Sequence, residues 1–136
     1  MNITRNITQE LRMKSIETKS APAAIGPYSQ AILANGFLYT SGQIPLNPAT
    51  GELEGTSIES QAEQAIKNLG EILKAAGTDF SKVVKTTCFL AHISDFAAFN
   101  AVYEKYFLSK PARSCFEVSA LPKGALVEIE AVAVIE

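Results

Sequence analysis

The sequence predicts a single domain built on one mixed β-sheet, with two helices packed on one face. Three observations lead there. The chain has 136 residues, close to the ~150 of an average domain. Its predicted elements run hairpin, helix, strand, helix, strand, strand, and strands separated by helices imply a mixed sheet with the helices laid on it. The last strand alternates so strictly that its two faces can be told apart.

Each element has a local cause. Asn35-Gly36 sits between the apolar runs 30–34 and 37–41. Asn-Gly there signals a hairpin, because a type I′ turn needs positive φ at both central residues. Pro45, Pro48, Gly51 and Gly55 crowd the stretch 42–55, which reads as a loop. Thr56 and Glu59 have capping-box spacing. Ile58, Ala62, Ala65, Ile66, Leu69, Ile72, Leu73 and Ala76 then recur at helical intervals, and Gly77 supplies the stop. The β-branched and aromatic run 83–90 predicts a strand. Ser94 or Asp95 can cap a second helix, with Phe96, Phe99, Val102, Tyr103 and Tyr106 on its apolar face. Pro111 opens a strand that runs through Val118, 121–124 is a turn, and 126–135 is the last strand.

In that last strand Val127, Ile129, Ala131, Ala133 and Ile135 form one wholly apolar face. Glu128, Glu130, Val132 and Val134 form the other, which begins acidic and turns apolar. Two helices cover only one face of the sheet, and a solvated second face should be polar. Val132 and Val134 therefore predict that another copy of the chain covers it.

Composition removes several function classes. Hydrophobic residues make up 47% and charged residues 19%, which fits a globular protein rather than a disordered one. No apolar run approaches the ~18 residues of a membrane span. Lys plus Arg is 12 and Asp plus Glu is 14, a net charge of −2. That balance argues against broad contact with nucleic-acid phosphates, although it leaves room for a local patch. Cys88 and Cys115 make neither a disulfide framework nor a C-x-x-C pair, and His92 is the chain's one histidine. No metal site is expected, and no nucleotide-binding glycine motif is present. A cofactor-free chemistry, or no chemistry, survives. Residues 1–12 are polar and read as an N-terminal extension, with Met13 as an alternative start, and the domain as 13–136. They contain no apolar secretory core, so the protein is expected in the cytoplasm with both cysteines reduced.

Few residues remain as carriers of chemistry. Beyond position 12 the chain has one arginine, Arg113, on a strand face shared with Cys115 and Glu117. It is either half of a salt bridge with Glu117, or a guanidinium fork that holds a carboxylate or phosphate at two points. Glu128 and Glu130 are either a solvated strand edge or an enclosed carboxylate whose raised pKa suits proton transfer. Tyr28 lies on a turn and packs as an irregular connection, or presents a ring to a pocket. Ser41-Gly42 ends a strand, or offers backbone N–H groups to an anion. With a single histidine, a Cys–His nucleophile is not expected of Cys115.

Several strings together resemble the YjgF/YER057c/UK114 family, with its imine and enamine deaminases of the RidA type. They are Ala21-Pro-Ala-Ala-Ile-Gly-Pro-Tyr-Ser-Gln30, Thr40-Ser-Gly-Gln-Ile-Pro45, Asp95-Phe-Ala-Ala-Phe-Asn100, Lys110-Pro-Ala-Arg-Ser-Cys115 and 121–131. The likeness covers nearly everything after Met13, in order. It implies a chorismate-mutase-like α+β domain that assembles as a homotrimer around a central barrel, with clefts between subunits. It also implies hydrolysis of 2-imino acids and 2-aminoacrylate-type enamines to 2-oxo acids and ammonia, with no cofactor. Carried over by position, Arg113 grips the substrate carboxylate and Glu128 activates water. Tyr28, Ser41, Gly42, Asn100 and Cys115 line the cleft. The loop between Tyr106 and Pro111 is shorter than in some members. The same cleft on a protein without turnover would make a ligand sensor or regulatory module, which is the alternative reading.

Overall fold

The computed structural model describes residues 13–135. The N-terminal extension expected at 1–12 lies outside the described residues. The strands are β1 (Met13–Ile16), β2 (Ala31–Ala34), β3 (Phe37–Thr40), β4 (Val83–Leu90), β5 (Ala112–Glu117) and β6 (Val127–Val134), with helices α1 (Ile58–Ala75) and α2 (Phe96–Tyr103). They form one six-stranded sheet in the order β1-β2-β3-β6-β4-β5. The β4–β5 pair is parallel and the other pairs are antiparallel. This is the mixed α+β architecture that the sequence predicts.

The local causes can be checked one at a time. Ala34 pairs with Phe37 across Asn35 and Gly36, whose φ values are 53° and 84°, as a type I′ turn requires. The predicted capping box is one residue early. Ser57, not Thr56, is the N-cap, extended at ψ 156°, and its hydroxyl accepts from the Ser60 N–H. Gly77, at φ 84°, ends α1 as expected. Neither Ser94 nor Asp95 caps α2 with a side chain. A 3-10 turn over Ile93–Asp95 leads into it, and Asp95 at the cap position makes no such bond. Strand β1 was not predicted. It is four residues long at the sheet's edge, and only Ile16 is buried, so it has no alternation to betray it.

Both helices lie on one face. Beneath them Leu38, Cys88, Ile129 and Ala133 are fully buried, and Leu69, Ile72 and Leu73 of α1 pack against them in the same core. Buried amides tie the functional loops to this frame. The Gln30 amide donates to the carbonyls of Thr18 and Pro22 and accepts from the Thr18 N–H, which fixes the approach to Tyr28. The Asn68 amide donates to the carbonyls of Ile44 and Leu46 and so holds the loop after Gly42 against α1. On the other face Glu128, Glu130, Val132 and Val134 are half-buried, while Phe37, Tyr39 and Phe116 are exposed. Among the described residues no helix is long and apolar enough to cross a membrane.

Candidate active site

Register decides what each face of the sheet presents. Arg113 and Cys115 on β5 stand beside Thr86 and Cys88 on β4, and Cys88 stands beside Ile129 on β6. Thr86, Cys88 and Ile129 are fully buried beneath the helices. Arg113 therefore rises on the helix-covered face, and because β5 is an edge strand its tip stays half-exposed.

Helix α2 receives it. Phe96, Asn100 and Tyr103 are spaced i, i+4, i+7, which brings them onto one side of the helix. The Arg113 Nη1 donates to Asn100 Oδ1 at 2.7 Å. Its guanidinium carbon lies 4.8 Å from the Tyr103 ring centroid and 5.4 Å from that of Phe96, within cation–π range. Tyr103 is itself fixed. Its hydroxyl bonds the Thr86 hydroxyl at 2.7 Å, and its ring stacks on Phe107 at 4.2 Å. Burial raises its pKa, so it stays neutral.

These partners orient the guanidinium without neutralising it. Among the described residues no carboxylate forms an ion pair with Arg113. The sheet-face pair with Glu117 is not formed, because Glu117 Oε1 accepts from the Ile93 N–H at 2.8 Å. Arg113 is thus a fixed, uncompensated positive charge with donors to spare, which suits a carboxylate.

The second group of site residues gathers around Glu128. Glu128 stands one position from Ile129 on β6 and opposite Phe89 on β4, so it rises on the face without helices. Gly42 makes room for it. A Cβ at Gly42 would lie 2.1 Å from Glu128 Oε2 and 2.7 Å from Cδ. The missing side chain of Gly42 thus serves a carboxylate of the chain itself. Beside it, the Ser41 hydroxyl donates to the Ser29 carbonyl at 2.5 Å and the Ser41 N–H to the Gln30 carbonyl at 2.9 Å. These bonds join the 41–42 corner to the turn that carries Tyr28, which is 53% exposed. Burial, and then the negative charge of Glu130, raise the Glu128 pKa.

The seven predicted residues therefore fall into two sets. Arg113, Asn100 and Cys115 share the helix side of the β5 edge, whereas Glu128, Gly42, Ser41 and Tyr28 cluster across the sheet. The structure does not bring Arg113 and Glu128 together within one chain. A groove of about 820 Å³ runs past Tyr28, Ser29 and Gln30, with Glu17 and Lys19 on its walls, and neither Arg113 nor Glu128 lines it. From sequence Phe96 and Tyr103 read as core because they fall at apolar helical spacing, and Thr86 reads as one residue of a β-branched strand. The polar Asn100 in the middle of that spacing was the available signal.

Comparison with known proteins adds kinship. The family model described as Endoribonuclease L-PSP matches residues 18–135. A human protein named 2-iminobutanoate/2-iminopropanoate deaminase is 55% identical over 120 residues, 88% of this chain and 88% of its own. A Lactococcus lactis protein whose name marks it as a candidate regulator, AldR, is 58% identical over 122 residues, 89% of this chain and 97% of its own. Among solved structures, Escherichia coli TdcF with bound serine superposes with a TM-score of 0.86 at 42% identity, over 90% of this chain and 99% of that one.

Proposed function

We infer the activity from kinship and geometry together: the chain belongs to the Endoribonuclease L-PSP family, the YjgF/YER057c/UK114 group, and is a hydrolytic deaminase of 2-imino acids and their enamine tautomers. The single observation that carries this reading to particular residues is the fixed, uncompensated guanidinium of Arg113.

The chemistry asks little of the protein. A 2-imino acid has a carboxylate beside a C=N bond. Arg113 takes the carboxylate at two points and so sets where C2 lies. Positioning of this kind contributes on the order of 10³-fold or more. Once protonated, the imine is already a strong electrophile, so water and a base suffice. Glu128 accepts a proton from water as the oxygen joins C2, returns it to the nitrogen as the C–N bond breaks, and takes the remaining hydroxyl proton as the 2-oxo group forms. The products are a 2-oxo acid and ammonia. The raised pKa of Glu128 makes it a stronger proton acceptor than an ordinary carboxylate.

This division of labour requires two copies. Arg113 from one chain and Glu128 from the next must face each other across a cleft, because the sheet separates them within a chain. The exposed Phe37, Tyr39 and Phe116, with half-buried Val132 and Val134, supply an apolar surface for that contact. A closed homotrimer with three such clefts is the assembly we propose.

The test is direct. A dehydratase generates 2-aminoacrylate from serine, and pyruvate or ammonia release is followed with and without this protein. Acceleration by the wild type supports the deaminase. Binding without acceleration supports the sensor, the reading that the candidate-regulator name of the Lactococcus relative favours. Two impaired variants then probe the shared cleft. Arg113→Lys and Glu128→Gln chains, unfolded together and refolded as a mixture, should recover about one quarter of wild-type activity, since a random cleft takes its intact half from each partner half the time. Recovery of none overturns the shared site.

A further inference from the structure

The proposed deamination gives the two cysteines no proton to carry and no bond to make. Cys88 and Cys115 are directly opposite each other on the parallel strands β4 and β5. Neighbouring strands lie about 4.8 Å apart, within the roughly 4.4–6.8 Å that separates the Cα atoms of a disulfide. The register turns both side chains to the same face, and both thiols are free. Their environments differ. Cys88 is fully buried, whereas Cys115 is partly open beside Arg113.

That asymmetry assigns a role to each. The neighbouring Cys88 thiol and the Arg113 charge together outweigh burial and favour the Cys115 thiolate. The adjacent Cys115, then burial, hold Cys88 as a thiol. An open thiolate beside a protected thiol is the arrangement of an attacking and a resolving cysteine.

We propose that Cys88 and Cys115 form a redox site, in which a peroxide oxidises Cys115 and Cys88 then closes an intrachain disulfide between β4 and β5. In the first step the Cys115 thiolate attacks one peroxide oxygen. The O–O bond breaks, the sulfur gives up two electrons, and a sulfenic acid and hydroxide form, the hydroxide taking a proton from solvent to become water. In the second step the Cys88 sulfur attacks the sulfenic sulfur. The S–O bond breaks, the S–S bond forms, and the Cys88 proton leaves with the hydroxyl as a second water. The register holds Cys88 opposite Cys115, where its sulfur can reach the sulfenic sulfur. The disulfide closes two residues from Arg113 on the same face, so it becomes part of the wall of that half-site.

The full-length protein is treated with hydrogen peroxide under native conditions and read by intact mass without reductant. The wild type should lose about 2 Da per chain, lose both thiols together, and regain them with dithiothreitol. Cys88→Val should stop at a Cys115 sulfenic acid that dimedone captures, and Cys88→Ala serves if the valine variant fails to fold. Cys115→Ser should leave Cys88 unoxidised. The proposal is overturned if the wild type passes to sulfinic acid without the mass loss, if the disulfide joins two chains, if neither thiol reacts, or if the Cys88 variants behave like wild type.

Discussion

Gly42→Ala isolates the placement of one carboxylate. Gly42 is not among the glycines at positive φ, so alanine suits its backbone and the substitution is a steric test alone. The new Cβ would sit 2.1 Å from Glu128 Oε2, and ordinary contact begins at 3.4 Å. Going from 2.1 to 3.4 Å moves the carboxylate by about 1.3 Å, while a misplacement of ~1 Å can cost on the order of 10²-fold in rate. The displaced atoms are the far end of a flexible side chain, so the fold should hardly notice. Expected, then, are a kcat lower by roughly 10²-fold, a nearly unchanged KM, and a melting temperature within about 2 °C of wild type. The dehydratase-coupled assay and a thermal melt measure all three. Near-native kcat in a folded Gly42→Ala protein would refute the idea that Glu128 works from the position Gly42 leaves open. A rise in KM alone would move Glu128 from the chemistry to substrate binding.

Three further outcomes follow from other parts of the molecule. Arg113→Lys keeps the charge and loses the two-point grip, so kcat/KM should fall about 10- to 100-fold, and near-native turnover at low substrate would end the carboxylate-clamp argument. As a base Glu128 must be unprotonated, and burial and then Glu130 raise its pKa. Activity should therefore fall on acidification from a pH above the usual carboxylate range. Glu130→Gln, which removes one raising influence, should move that acid limb to lower pH, and a limb unmoved by Glu128→Gln would assign it to another group. Phe107 is 2% exposed and stacks on Tyr103, so Phe107→Ala should cost about 3–5 kcal/mol of unfolding free energy in a denaturant titration. A loss under about 1 kcal/mol would show that the aromatic ladder behind Arg113 is not part of the core.

Much of the frame could be read without coordinates, for physical reasons that also explain the gaps. Asn35-Gly36 announces its turn because few other residues accept two successive positive φ values. The run 83–90 becomes β4 over the same residues, because β-branched and aromatic side chains fit a pleated, half-buried surface. Cap chemistry was less legible. Thr56 and Ser57 both offer a hydroxyl, and the geometry of Ser60, invisible in a spacing rule, decides between them. Met13–Ile16 takes its pairing from β2 and has little preference of its own. At the site, Arg113 stood out as the lone arginine beyond position 12. Its clamp by Phe96 and Tyr103 joins α2 to β5 through tertiary packing, which no local pattern encodes. Period-2 alternation could not place Arg113 and Glu128 relative to each other, because they lie on different strands and only the shared neighbours Cys88 and Ile129 relate their faces.

That placement back to back has a price in dilute solution. Parted from the proposed trimer, a single chain would hold the grip and the proton acceptor on surfaces that never meet. Output per milligram should then drop as the protein is thinned toward its dissociation midpoint. Abundance would thereby govern how many working centres exist as well as how fast they clear their substrate.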